Sequence, residues 1–398
     1  MSMPTVAVVG GSIAGLTAAN VLRDIGCNVN VYERTPQPLS GFGTGIVVQP
    51  ELVRYLLERT DGTLDDVSVP SSAMHYYDAT TAHLRGQVDA SWRFTAYNAI
   101  YQKLLDAFGS ERYHLGHALT RLTDESGKTR CQFADGSSVT ADLIVCADGG
   151  GSVARSQLLG VQTEYAGYLT WRGMVDHNDV SEATWEFFSD AFTYGLLPDS
   201  HLIAYPIPQV TAEGRLTGRP RLNFQWYWNV PAGPELDTLM TDSSGHRRPV
   251  SVRYTDLAAE TLQELRGRAR AQLSGPFREL IERVPEPFLT SVTDAQVDTM
   301  AVGNVALIGD AAFTPRPHAA AGAAKAADDA WRLADHLTEA DGDVAAALRA
   351  WEPERLAVGR AYLAKVQAMG QALQHGGDFP PGASRFRFGL PDVSRAGL

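Results

Sequence analysis

Three short stretches of the chain carry residue types that can hold or steer a ligand. Gly10, Gly11, Ser12, Ile13, Ala14 and Gly15 follow the apolar run TVAVV and precede a helical pattern. A turn of small residues there gathers backbone N–H groups at a helix N-terminus, which is how a pyrophosphate is held. Ser12 takes the second glycine's place in G-x-G-x-x-G; it still admits close backbone approach, and its hydroxyl adds a donor. Glu33, followed by Arg34, ends the second strand pattern where an acidic residue can accept from an adenosine ribose. The second stretch, ALIGDAAFTPRPHAAAG, delivers Gly309 and Asp310 from an apolar strand to a helix start. A carboxylate at that turn can accept hydrogen bonds from a polyol; FAD has a ribityl chain and NAD does not. The third, VCADGGGSVAR, places Asp148 and Gly149 at a strand end, with Ser152 and Arg155 in the helix that follows.

His318 lies between the Asp310 turn and the loop holding Ala320 and Gly322, so it is expected to project towards the ring edge of such a cofactor. An imidazole there could steer or deprotonate a substrate hydroxyl near neutral pH. Arg316 is the competing residue, and Pro315 and Pro317 stiffen the loop that carries both.

These residues need a scaffold, and the pattern supplies one. Residues 5–33 read as strand, helix, strand, with Gly26 stopping the helix. A helix is expected over about 97–108, and an apolar strand ADLIVC precedes Asp148. From about 165 to 230 aromatic strands follow one another: YLTWRGMV, FTYGLL, HLIAYPIP and RLNFQWYWNV. Alternate residues on a strand share a face, so one subset can line a slot for a flat ring. Trp171, Phe188, Tyr205, Phe224, Trp226 and Trp228 are the aromatic candidates, and Tyr205, Trp226 and Pro317 are assigned to the ring. The last third is Ala-rich helix and then a Gly/Pro-rich tail that could lie against a partner subunit or wrap its own chain.

The expected fold class is α/β: a Rossmann-like dinucleotide domain, an antiparallel-sheet substrate domain and C-terminal helices. The cofactor domain takes 1–70, 96–163 and 291–340, the substrate domain 71–95 and 164–290, and the helical segment and tail 341–398. The chain of 398 residues has 34 Lys+Arg against 46 Asp+Glu, a net charge of −12 that disfavours nonspecific nucleic-acid or anionic-membrane binding. A small-molecule partner is expected. No apolar run reaches membrane-spanning length and no basic leader precedes the first strand, so a cytoplasmic location is expected. Cys27, Cys131 and Cys146 are far apart in apolar settings and read as core residues; no metal site is assigned.

Gly10-x-Ser12-x-x-Gly15, the Asp148-Gly149-x-x-Ser152-x-x-Arg155 element and Gly309-Asp310-Ala311-Ala312 with Asp329-Ala330 resemble, in this order, the single-component flavoprotein aromatic hydroxylases. SGFGTGIVVQPELV, HLIAYPIP, RLNFQWYWNV and TPRPHAAAG are similar to a branch of that family acting on hydroxylated pyridines. The resemblance implies bound FAD, a transiently bound NADH or NADPH, O2, and a small aromatic substrate bearing a ring hydroxyl, with a homodimer as one possible assembly. It also implies that Gly45, Leu119 and Asp148 lie against the cofactor and that Asp310 binds the ribityl chain. The chain departs from the family at Phe313, where His is common, at Ala320 and Ala324 over the flavin, and at Ala96 or Tyr97, where an Arg usually meets the FAD phosphates. Three other readings stay open at this point: a flavin-linked reductase without oxygen insertion, an NAD-dependent dehydrogenase, and a non-catalytic flavin or aromatic sensor.

Overall fold

The structure, a computed structural model, describes residues 3–39, 44–376 and 379–392. Ser40–Gly43 of the SGFGTG stretch and the last six residues of the tail lie outside the described residues. The N-terminal strand Thr5–Val9 is buried almost throughout, as an apolar β-branched run demands, and forms the middle of a six-stranded sheet. Across that sheet the strands run Ala301–Val302, Val305–Leu307, Leu143–Cys146, Thr5–Val9, Asn28–Glu33 and Tyr113–Leu115. All pairings are parallel except the first.

Two glycines set the first turn. Gly10 has φ +101°, and a Cβ on it would stand 2.3 Å from the Ala147 carbonyl oxygen. At Gly15 a Cβ would lie 1.8 Å from the Gly10 carbonyl oxygen, so the Ile13–Asp24 helix can only close onto its strand without one. The expected helix near 97–108 is Tyr97–Phe108. The three cysteines are buried and unpaired.

A nine-stranded sheet forms the second layer, in the order Ser251–Val252, Phe288–Asp294, Glu164–Asp176, Arg221–Asn229, Ser200–Ile207, Ala191–Leu197, Ser68–Asp78, His83–Ala96 and Gly45–Val47. Its pairings are antiparallel except Ala191–Leu197 with Ser68–Asp78. One face packs against the helices Ala259–Gln272 and Gly275–Arg283 through Trp171, Phe224, Trp226, Phe277 and Leu280. The other face turns to the six-stranded lobe. Its register aligns Tyr194, Ile203, Gln225 and Arg172 across four adjacent strands.

The helix Val344–Gln374 spans 31 residues. Beyond it the tail returns over its own chain: Phe388 meets Phe192 and Trp92 at ring separations of 4.8 and 5.3 Å, and the Gly389 N–H donates to the Ala319 carbonyl at 3.0 Å. No described helix is long and apolar enough to cross a membrane.

Gly15→Ala is expected to destabilise the protein by about 1–3 kcal/mol through overpacking at the strand–helix crossing. Urea unfolding at equilibrium checks it.

Candidate active site

The six-stranded lobe and the polar-bearing face of the large sheet enclose a cavity of about 350 Å³, within the ~300–1,000 Å³ usual for small-molecule sites. Ser12, Ile13, Ala14 and Asp310 line it, as do Tyr205 and a cluster of His201, Tyr227 and His318 whose ring centres lie 4.2 to 5.5 Å apart. The two motifs of the sequence reading thus open on one cleft.

The phosphate end fits an anion. Ser12 does not cap its helix; its hydroxyl hydrogen-bonds the Tyr97 hydroxyl at 2.7 Å, and no acidic residue lies in the first turn. The leading N–H groups of the Ile13–Asp24 helix therefore keep their donor capacity and positive dipole end. Ser12 takes the place of the fingerprint's second glycine and Tyr97 is one of the two residues, with Ala96, at which the resemblance implies an Arg; the structure makes Ser12 and Tyr97 partners. Glu33 is buried and accepts the N–H groups of Gly11 and Thr35 at 2.7 and 2.9 Å, so it braces the turn itself. Each of its oxygens retains a lone pair. Arg34 is exposed beside it.

Asp310 sits on the one-turn helix Gly309–Ala311. The residue is exposed to the cleft that it lines, with Lys325 and Arg155 as the cations acting on it. That setting raises its carboxyl to about 6, chiefly by desolvation, against the opposing pull of Lys325 and Arg155. A hydroxyl-rich chain lying in the cleft would supply the hydrogen bonds that an ionised Asp310 lacks. With the uncapped helix, this donor and acceptor set fits FAD. Arg155 is buried and ties the turn down, donating to the carbonyls of Gly150, Asp310 and Ala311. Ala320 holds φ +52°, a left-handed conformation in which a glycine is free of strain. Phe313, the other departure, packs against the helix position Gly359, where a Cβ would stand 2.4 Å from its ring.

At the ring end His318 is 5% exposed; its Nε2 lies 2.7 Å from the Tyr168 hydroxyl and its Nδ1 meets no partner among the described residues. Burial first, and the Arg316 cation second, lower its pKa to about 3. His318 is therefore neutral at working pH, and storage of a substrate proton on it is disfavoured. Arg316 also lines the cleft but is committed to Asp294, at 2.8 Å. His201, also buried, stacks on Tyr227 at 4.2 Å and is held neutral by burial and then by His318.

Gly45, Tyr205, Pro317, Ala320 and Gly322 line the cleft; Gly10, Gly11, Gly15 and Gly309 shape the turns behind it. Of the assigned residues, Trp226, Asp148 and Leu119 do not line the cavity. Trp226 is fully buried on the opposite face of its strand, among the helices, because the strand turns Asn223, Gln225 and Tyr227 to the other side. Asp148 does not reach into the cleft: its carboxylate accepts the N–H groups of Val153 and Ala154, leaving neighbours Ala147 and Gly149 to line it. Leu119 packs in the core of the six-stranded lobe, outside the cavity lining. Sequence reasoning missed Arg172, His201, Gln225 and Tyr227, all lining residues, and took Tyr97, which also lines the cleft, only as a lost Arg. The signal was present. In RLNFQWYWNV and YLTWRGMV one alternate set is polar and the other apolar.

Trp226→Phe should cost about 1–3 kcal/mol of stability and leave ring binding unchanged, as equilibrium unfolding and ligand titration will check. The raised Asp310 pKa makes the carboxyl favour folding of the apoprotein below about pH 4, a contribution lost as pH rises through about 6. Asp310→Asn should then stabilise the apoprotein at pH 7.5 but not at pH 4, and thermal unfolding across pH tests this.

Comparison with known proteins agrees with this geometry. Residues 5–49 match the model for pyridine nucleotide-disulphide oxidoreductases, and residues 165–294 the FAD binding domain-like model. The chain is 54% identical over 389 residues to 2,6-dihydroxypyridine 3-monooxygenase of Paenarthrobacter nicotinovorans, covering 98% of this chain and 96% of that one. It is 28% identical over 355 residues to 6-hydroxynicotinate 3-monooxygenase of Pseudomonas fluorescens, covering 84% of this chain and 83% of that one. The solved 2,6-dihydroxypyridine-3-hydroxylase from Arthrobacter nicotinovorans superposes with a TM-score of 0.94 at 53% identity, over 98% of each chain. Klebsiella pneumoniae HpxO, solved with FAD and uric acid, shares the fold at TM-score 0.76 and 23% identity, over 93% of this chain and 89% of that one. With a relative this similar along its whole length, and a cleft whose donors suit a flavin dinucleotide, the chain belongs to the FAD-dependent aromatic-ring monooxygenases.

Proposed function

We propose that this enzyme hydroxylates 2,6-dihydroxypyridine to 2,3,6-trihydroxypyridine, with NADH or NADPH as a transiently bound reductant and O2 as co-substrate. The observation that carries this reading is the 54% identity to a 2,6-dihydroxypyridine 3-monooxygenase across 98% of the chain. In this reading segments 1–70, 96–163 and 291–340 hold the cofactor, and 71–95 and 164–290 hold the ring.

Ser12 and the N–H groups of Ile13 and Ala14 hold the pyrophosphate, Glu33 and Arg34 flank the adenosine ribose, and Asp310 accepts from the ribityl hydroxyls. Gly45, Ala320 and Gly322 give the flavin ring close backbone contact. The bound flavin supplies the oxygen chemistry, so the protein's part is to position the ring, exclude water and set the local charge. Apolar Ile46, Val47, Phe192, Ile203 and Leu373 line the cleft and keep water from the reacting edge. Tyr205 and Pro317 bound the slot. Tyr168 fixes the His318 ring through Nε2, and neutral His318 orients a ring hydroxyl by hydrogen bonding.

NAD(P)H consumption accelerated by 2,6-dihydroxypyridine, with a product heavier by one oxygen atom, is the test; a relative panel of hydroxypyridines and hydroxybenzoates decides the ring. His318→Phe is expected to lower kcat/KM roughly 100-fold by loosening ring placement and to raise the H2O2 released per NAD(P)H. His318→Gln should lose less. Because His318 is already neutral above about pH 3, the kcat profiles of wild type and His318→Gln should share one shape from pH 5 to 8.

A further inference from the structure

Arg172 is the cation of the ring slot that the geometry so far leaves without a task. It lines the cleft, and its buried Nε meets no hydrogen-bond partner among the described residues. The two guanidiniums near the Asp310 turn are occupied, Arg316 by Asp294 and Arg155 by backbone carbonyls. Asp310 is the sole carboxylate among the described lining residues, and no described ion pair joins it to Arg172. Gln225 stands directly opposite Arg172 on the neighbouring strand. Its side-chain oxygen accepts from the Tyr227 hydroxyl at 2.8 Å, and its amide donates towards the Tyr205 hydroxyl, so Gln225 is spent on its neighbours and does not neutralise Arg172. A partly buried cation with no carboxylate beside it is costly unless a ligand brings negative charge to it.

We propose that Arg172 determines specificity in the ring slot by pairing with an ionised ring oxygen, so that the enzyme takes its substrate as the oxyanion. The inference rests on the hydroxypyridine reading above and refines it. The ring gives its proton to solvent before it settles, and the charge left on oxygen enriches the ring carbons ortho and para to it. A base within the site is then unnecessary, which agrees with two buried imidazoles that are both held neutral.

The groups facing Arg172 are fixed in charge over a useful range. Tyr168 on its own strand, Tyr227 opposite, and Tyr205 beyond it all have pKa values raised by burial. His201 and His318 are lowered by burial, Phe288 on the other neighbouring strand is uncharged, and Arg316 stays paired. Asp310 titrates near 6. Between pH 7 and 9 a change in ring ionisation therefore reports the ligand.

The experiment uses the oxidised holoenzyme without NAD(P)H. The ionisation of bound hydroxypyridines, and of hydroxybenzoates as a second ring class, is read from their ultraviolet bands while Kd is measured from pH 7 to 9. Wild type is expected to lower the apparent pKa of a bound ring hydroxyl by a unit or more. Arg172→Met should abolish that shift and weaken binding of the ionised ring about 10- to 100-fold, and Arg172→Lys should restore part of both. A ring that binds wild type in its neutral form, or a shift that survives in Arg172→Met, overturns the proposal. Should Arg172→Met fail to fold or to retain flavin, Arg172→Lys and the wild-type spectra decide it. Binding of hydroxybenzoates alone with an Arg172-dependent shift would sink the dihydroxypyridine reading and sustain this one; binding and turnover of dihydroxypyridine without the shift would do the reverse.

Discussion

The cleft depends on one carboxylate that never meets solvent. Asp329 is fully buried and accepts the Gly309 N–H at 2.9 Å, the Arg355 Nε at 2.9 Å and the Lys325 ion pair at 2.6 Å, while its carbonyl accepts the Trp351 indole N–H. Those contacts tie the strand end that delivers Asp310 to the long C-terminal helix. An ion pair this deep is weak evidence for net stability, yet removing one partner leaves a bare buried charge and typically costs about 3–5 kcal/mol. Its value here is positional. Asp310 faces the cleft at a defined angle because the residue before it is pinned from behind.

A second constraint is the two-faced sheet. Its helix side is apolar and tightly packed, with Trp171 and Trp228 in an edge-to-face contact at 5.7 Å. Its cleft side carries Arg172, Gln225, Tyr227 and His201; His201 is matched by Gln374 of the long C-terminal helix at 2.7 Å and Tyr227 by Gln225 at 2.8 Å, while the Arg172 Nε finds no partner among the described residues. Polar side chains survive on that face because it borders an open cleft and because neighbouring side chains and the C-terminal helix meet part of their hydrogen-bonding needs. The neutral state of His201 and His318 follows from the same dryness that protects oxygen chemistry from water, so the environment that suits the reaction also removes these imidazoles as proton stores. The tail helps to close this face, with Phe379 against Tyr194 at 5.3 Å and Gly389 bonded to the loop that carries His318.

The departures from the family pattern are compensated locally. Ser12 and Tyr97 pair hydroxyl to hydroxyl; Phe313 fills the space left by Gly359; Ala320 accepts a left-handed backbone in place of a glycine. The first two look like lost contacts in sequence because their partners lie tens of residues away in the chain. The resemblance could flag the departures but not join them.

By itself the sequence determined what depends on local spacing: the glycine turn between strand and helix, the helix over 97–108, the Gly309-Asp310 turn, and the alternation of the aromatic strands. Hydrophobic period and turn chemistry act over a few residues, so they are written in a few residues. Tertiary structure decided which alternate face meets the cleft. It therefore placed Tyr205 and Gln225 rather than Trp226 on the cleft, turned the Asp148 carboxylate onto its own helix, and left the Arg172 Nε without a partner among the described residues. Alternation fixes that two faces exist, and only the packing of helices against one of them says which is the outside.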